Sequence, residues 1–267
     1  KTEAIRHVMP LLREPLESDV PVYLMSCSGE KVPSQNTFYE DLLRAANHSF
    51  SRSGTAQSKR LRLIERLAFD AENADETRVI LFIDDAQWLQ EQSYRWLMDL
   101  HNQLNLRGVH LITILVGQPE LLDQRNAYRA SRQLQVVARF MARAHVFRGL
   151  ESAADLEVVL RQFDERKEHP EGSGWTYTRF FLPQAYGAGW RLAHQAALIW
   201  RVLQDAYPWD FSHFNKRVLP MASFSRLCAF LLYELHEDDG LELRLPEQLI
   251  REGIDLTHLP PMEAQLA

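Results

Sequence analysis

Five apolar residues in a row, Val79 to Ile83, lead directly into two aspartates, Asp84 and Asp85. A continuous apolar run of this kind is typical of a strand that is covered on both faces, as in a parallel sheet between helices. Burying two adjacent carboxylates at the end of a strand costs free energy, so their presence there suggests a functional role. Because ligands of open α/β sheets bind at the carboxyl ends of strands, the run predicts both a parallel sheet and a candidate site.

Strand and helix patterns alternate as far as residue 150. Apolar runs predict further strands at 22–25 and 110–116, and one more short strand at 144–147. Apolar residues at helical spacing predict helices at 2–12, 37–46 with Thr37 as the N-cap, 59–69, 92–106 and 134–142. This alternation predicts a doubly wound parallel α/β sheet for residues 1–150.

The pattern changes after residue 150. Helical spacing without strand alternation predicts helices at 153–167, 180–186, 191–205 and 224–237. Residues 151–267 are therefore predicted to form a smaller, all-helical domain.

Composition narrows the classes of function. The chain has 30 basic and 36 acidic side chains and a net charge of −6, so any contact with nucleic acid must be local. No run of about 18 apolar residues occurs, and we expect no transmembrane helix. The two cysteines, Cys27 and Cys228, are typical of small buried hydrophobic residues in a reducing compartment, which predicts a cytoplasmic protein.

The two aspartates suit phosphate chemistry. An acidic residue at this place can hold Mg²⁺ against the phosphates of a nucleotide, which is the role predicted for Asp84. The second acid, Asp85, can orient or deprotonate an attacking water. The alternative is that one of them only caps the helix that follows.

Lys1-Thr2 opens the first helical pattern. A phosphate-binding loop ends in Gly-Lys-Ser or Gly-Lys-Thr at the start of a helix, which predicts that Lys1 contacts the β- and γ-phosphates and that Thr2 contacts their Mg²⁺. We then expect the glycines of the loop upstream of Lys1. The alternative is that the chain begins with this dipeptide by coincidence.

Two segments resemble the AAA+ ATPases. Asp84–Leu89 (DDAQWL) resembles their Walker B segment, and Gly117–Leu121 (GQPEL) resembles a stretch of one branch, which includes ExeA-type secretion ATPases and TniB/TnsC regulators of transposition. Thr37–Tyr39 at a helix start, with a basic helix after it, is similar to the TniB/TnsC pattern. The resemblance covers roughly residues 1–205. It implies a P-loop AAA+ sheet domain, a small helical lid, and ATP with Mg²⁺ as ligands.

The resemblance also implies roles for other residues. Gln118 matches the polar sensor-1 residue near the γ-phosphate, with a simple turn residue as the alternative. Arg139 and Arg143 match the region of the arginine finger, which reaches a neighbouring subunit's nucleotide, with a solvated helix face as the alternative. Arg191 resembles the sensor-2 arginine of the lid, or is an exposed residue at a helix start. The family usually has Glu at the position of Asp85. Aspartate is one methylene shorter, so its carboxylate is expected to lie farther from the attacking water, which predicts slow hydrolysis.

The densest basic stretch lies between Lys1-Thr2 and the two aspartates. It supplies four candidate DNA-binding residues, Arg52, Lys59, Arg60 and Arg62. In TniB/TnsC proteins the residues that face DNA lie in this part of the chain and line the inside of a helical filament. A patch that is weak in one subunit is multiplied when many subunits stack along DNA. The alternative is an ordinary solvated helix face.

The resemblance implies an ATP-dependent regulator of DNA transposition. Such a protein forms a homo-oligomer, a ring or helical filament, on double-stranded DNA and links a target-selection protein to the transposase. We expect it in the bacterial cytoplasm near the nucleoid, without a membrane partner. Two alternatives stay open: an ExeA-like secretion ATPase, and a nucleotide-bound scaffold with little hydrolysis. The aromatic-rich stretch 207–214 is either a partner site or part of the lid packing.

Overall fold

Three parallel strands form one sheet in the described part of the chain. They are β1 (Val22–Ser26), β2 (Arg78–Asp84) and β3 (His110–Leu115), in the spatial order β1-β2-β3. The structure is a computed structural model that describes residues 1–29, 32–147, 149–206, 219 and 221–257. The aromatic-rich stretch 207–214 lies outside the described residues.

The chain divides into two compact units, Lys1–Val146 and Phe147–Ala267. The sheet belongs to the first unit. The helices described in this unit are α1 (Thr2–Leu11), α2 (Arg13–Leu16), α3 (Gln35–Ala45), α4 (Ala56–Asn73), α5 (Glu91–Asn105), α6 (Glu120–Ala130) and α7 (Leu134–Phe140), with a 3-10 turn at Ala86–Trp88.

Strand β2 is buried along its length from residue 79 onward, as its continuous apolar run predicts. Its side chains alternate between two hydrophobic clusters. Val79 and Ile83 belong to a cluster that also contains residues of α3, α4 and α5, whereas Ile80 and Phe82 pack with Ile5 of α1. Helices therefore cover both faces of the sheet, and the predicted parallel α/β architecture is confirmed.

The strand register brings the carboxyl ends of the strands to one edge of the sheet. Ser26 of β1 lies opposite Asp84 of β2, and Leu115 of β3 lies opposite Ile83. The strands that the structure describes follow one another in sequential order, so the doubly wound arrangement stays a prediction.

Two local predictions in the first unit are wrong. The N-cap of α3 is Ser34, whose hydroxyl accepts the backbone N–H of Thr37 at 3.3 Å, because Thr37 already lies inside the first turn. No strand forms at 144–147, where the side chains of Val146 and Phe147 are exposed and bury no apolar surface against a sheet.

The second unit is helical in its described residues. Its helices are α8 (Ala153–Glu165), α9 (Tyr177–Phe181), α10 (Pro183–Gly187), α11 (Ala196–Ala206), α12 (Met221–Leu235) and α13 (Glu247–Leu256), with 3-10 turns at Ala193–Gln195 and His236–Asp238. They enclose a core of their own, which includes Leu156, Ile199 and Leu231. The helix predicted at 180–186 is two helices, because the residue before Pro183 is disfavoured in the helical conformation. None of the helices described in either unit has the length and hydropathy that crossing a membrane requires.

Candidate functional site

The site lies at the carboxyl ends of β2 and β3, where α1 begins. The hydroxyl of Thr2 donates a hydrogen bond to Oδ2 of Asp84. Asp84 is buried, and its Oδ1 accepts the backbone N–H of Asp85 at 3.0 Å. The fold therefore joins the start of the chain to the strand-end carboxylates, as the motif spacing predicts.

Lys1 lies beside the same carboxylates. Its Nζ donates to the carbonyl of Gly117 at 2.8 Å and to Oε1 of Gln118 at 2.8 Å. Partial burial lowers the pKa of Lys1, while the negative charges of Glu120, Asp85 and Asp84 oppose this shift. A lysine ammonium, a threonine hydroxyl, two carboxylates and a side-chain amide thus meet at one edge of the sheet.

Neither carboxylate caps the helix that follows. Asp85 lies before the 3-10 turn in the left-handed conformation (φ 53°) and makes no side-chain capping hydrogen bond to it. Aspartate visits this conformation more readily than most residues. The N-cap of α5 is Gln90, again without a side-chain capping bond. The capping alternative is therefore not supported by the geometry.

Gln87 belongs to the site although its spacing gave no reason to assign it a role. Its Nε2 donates to Oδ1 of Asp85 at 3.3 Å, and its Oε1 accepts the backbone N–H of Gln118 at 3.0 Å. A Cβ at Gly117 would lie 2.7 Å from Oε1 of Gln87, so a larger residue there would force the Gln87 amide to move. The only signal in the sequence was a polar residue shortly after the two aspartates.

The other nucleotide-associated candidates make different contacts. Arg139 on α7 is exposed, and its Nη1 donates to Oδ1 of Asn102 at 3.0 Å. Arg143 is also exposed. In the second unit, Arg191 donates to the carbonyl of Tyr186 at 2.8 Å and covers the ring of that tyrosine at 3.6 Å. Their assigned roles stay predictions.

The predicted basic stretch is not a continuous exposed strip. Lys59 is fully buried, and its Nζ lies 2.7 Å from Oε2 of Glu40. Arg60 forms a bidentate ion pair with Asp99 in which Nη2 lies 2.7 Å from Oδ1. Lys59 is buried and Arg60 is partly buried, because α4 packs against α3 and α5, which supply their acidic partners. The solvated helix face that was the alternative is also wrong for Lys59.

Of the other two basic candidates, Arg52 lies in the loop between α3 and α4, and Arg62 lies on α4. Arg62 donates to the backbone carbonyls of Phe50 and Ser53, so its guanidinium supports this loop. Arg52 projects from the loop with 84% of its side chain exposed, and its Nε lies 4.0 Å from Oε1 of Glu40. Of the four candidates, Arg52 is therefore the most accessible to a phosphate.

Residues 1–124 match the family model described as an AAA domain. This span contains Lys1, Thr2, the two aspartates and Gln118, and it supports an AAA-type P-loop ATPase domain in this part of the chain. Comparisons with curated proteins and with solved structures found no significant match.

Proposed function

We propose that the unit Lys1–Val146 binds ATP with Mg²⁺ and hydrolyses it at the edge of the sheet described above. The observation that carries this proposal is the contact of the Thr2 hydroxyl with the Asp84 carboxylate, beside the ammonium of Lys1. Mg²⁺ prefers oxygen ligands and in nucleotide sites takes one or two carboxylates together with phosphates and waters, so this donor set fits it.

Each residue has a distinct task in this proposal. The ammonium of Lys1 offsets negative charge on the β- and γ-phosphates, and the oxygens of Thr2 and Asp84 hold the metal. When held by these oxygens, Mg²⁺ would supply positive charge against the negative charge that develops on the phosphates. The carboxylate of Asp85 orients the attacking water and accepts its proton. In this proposal the side-chain amide of Gln118 contacts the γ-phosphate.

The length of Asp85 is expected to limit turnover. In Asp85→Glu the carboxylate extends one methylene further toward the attacking water, and we expect steady-state hydrolysis to rise about tenfold, which corresponds to about 1.4 kcal/mol of barrier. Phosphate release at saturating ATP measures this. The matched control is Asp123→Glu on α6, where an exposed acid is lengthened outside the site. An unchanged rate in Asp85→Glu would contradict the idea that its length is limiting.

We further propose that ATP binding serves a DNA-binding regulator of transposition. In this proposal identical subunits assemble on double-stranded DNA in the bacterial cytoplasm and link a target-selection protein to the transposase. The resemblance of Asp84–Leu89 and Gly117–Leu121 to the TniB/TnsC branch supports it, and so do the exposed side chains of Arg139 and Arg143, which suit contact with another subunit. The overall charge of −6 requires the DNA contact to be local.

Arg52 is the residue expected to contact DNA phosphate. With ATP present, Arg52→Ala should weaken duplex binding and reduce the slope of log affinity against log salt by about 1 for each phosphate that is no longer neutralised. Fluorescence anisotropy of labelled duplex DNA across a salt series measures both. Arg60→Ala is the matched control, because its partner Asp99 already occupies the guanidinium. Absence of salt-dependent duplex binding in the wild-type protein would rule out the DNA function.

A nucleotide-bound scaffold with little hydrolysis is the second candidate. The observation that favours it is the shorter acid at position 85. Stable ATP binding without turnover, in the presence of duplex DNA, would favour the scaffold over the ATPase.

A further inference from the structure

We propose that Gln87 is a positioning residue that holds the Asp85 carboxylate in register with Gln118 and thereby sets the rate of hydrolysis. The inference rests on the proposed ATPase function and adds a residue to its site. The residues involved lie in the turn after β2, residues 85–88, and in the segment after β3, residues 116–118.

Both the nitrogen and the oxygen of the Gln87 side-chain amide form hydrogen bonds. Nε2 donates to the Asp85 carboxylate, and Oε1 accepts the N–H of Gln118. A carboxylate can only accept and a backbone N–H can only donate, so a bridging side chain must carry one donor and one acceptor. Glutamine meets this requirement, while an ionised glutamate would meet only the acceptor half.

The two segments are held together by a second contact. The backbone N–H of Ala86 donates to the carbonyl of Val116 at 2.9 Å. Gly117 allows the close approach, since a Cβ there would lie 2.7 Å from Oε1 of Gln87 and 3.2 Å from its backbone nitrogen. The position of the Gln118 segment is thereby tied to the position of the Asp85 carboxylate.

Lys1 contacts this same segment, through the carbonyl of Gly117 and the side chain of Gln118. Gln87 bonds the backbone N–H of Gln118. A γ-phosphate that bound Lys1 or Gln118 would change these contacts. It would therefore also change the position of the Gln87 amide, which orients Asp85. This arrangement links occupation of the phosphate site to the orientation of the proposed base.

Gln87→Glu and Gln87→Ala separate orientation of Asp85 from simple tethering of the two segments. Gln87→Glu keeps the acceptor for the Gln118 N–H, removes the donor to Asp85 and adds a like charge beside it. We expect kcat to fall about tenfold in both variants, with the KM for ATP, the nucleotide Kd and the melting temperature close to wild type. The matched control is Gln92→Ala, an exposed glutamine on α5.

Gly117→Ala disturbs the same bridge without changing Gln87. Its methyl group displaces the Gln87 amide, so kcat should fall by a similar factor. The double variant Gly117→Ala/Gln87→Ala should be no slower than Gln87→Ala alone. Both substitutions act through the same pair of Gln87 hydrogen bonds, so their effects on kcat should not add. Multiplicative losses, or a wild-type kcat in Gln87→Glu, would overturn the positioning role.

The same measurements separate this inference from the function on which it rests. A wild-type protein that binds but does not hydrolyse ATP overturns the ATPase proposal and the role of Gln87 together. Wild-type turnover that Asp84→Asn abolishes and both Gln87 variants leave unchanged overturns the role of Gln87 alone.

Discussion

Replacing Asp84 with asparagine is expected to reduce ATP hydrolysis about a hundredfold or more. The variant keeps the size of the side chain but removes the charge of the carboxylate, whose oxygen accepts the hydrogen bond of the Thr2 hydroxyl and would hold Mg²⁺. Losing metal-assisted charge stabilisation costs several kcal/mol in the transition state. Phosphate release at saturating ATP and Mg²⁺, with a melting curve of each variant, provides the measurement.

The control for Asp84→Asn is Asp123→Asn, which removes an exposed acid on α6 of the same unit. It should hydrolyse ATP at the wild-type rate. If Asp84→Asn retains wild-type turnover while remaining folded, this edge of the sheet is not the hydrolytic site.

The second large effect is on stability. Asp164 of α8 is buried, and its two carboxylate oxygens accept the backbone N–H groups of Leu192 at 3.0 Å and Ala193 at 2.9 Å. In Asp164→Ala both donors are left without their partner inside the core of the second unit. Because each buried unsatisfied group costs about 1–3 kcal/mol, we expect the free energy of unfolding to fall by about 2–6 kcal/mol.

Urea unfolding followed by circular dichroism measures this loss, and hydrogen exchange with mass spectrometry locates it. Exchange should accelerate in α8 and α11, while the strands of the first unit keep their protection. Glu157→Gln is the control on the same helix, because its ion pair with Arg161 is exposed and such pairs contribute little. Equal stability of Asp164→Ala and wild type would show that water replaces the carboxylate.

Local patterns were sufficient where short-range physical chemistry decides the structure. The continuous apolar run of β2 predicts a strand covered on both faces, and the two acids after it predict the edge where ligands bind. The predicted helix boundaries were less accurate. Helix α4 begins at Ala56, three residues before its predicted start, because the hydroxyl of Thr55 accepts the N–H of Ser58 and caps the helix. A capping hydrogen bond extends a helix past its apolar pattern, which periodicity alone does not report.

Lys59 illustrates what a linear pattern of charges leaves open. It stands among basic residues in the sequence, yet its ammonium is buried against Glu40, which lies on a different helix. The cost of burying a charge is offset only by a partner brought close by packing, and packing joins residues that are distant in sequence. Arg62 likewise has its guanidinium engaged, because it donates to two backbone carbonyls of a loop.

By itself, the sequence determined the buried strand, the acids at its end and the Lys1-Thr2 pair at the start of a helix, because each depends on neighbouring residues. Only the tertiary structure decided that Gln87 bridges Asp85 and Gln118, and that Arg52 is the accessible member of the basic stretch. The physical reason is that hydrogen bonds and burial depend on distance in space: Gln87 and Gln118 follow different strands, and Arg52 lies in a loop that α3 and α4 hold.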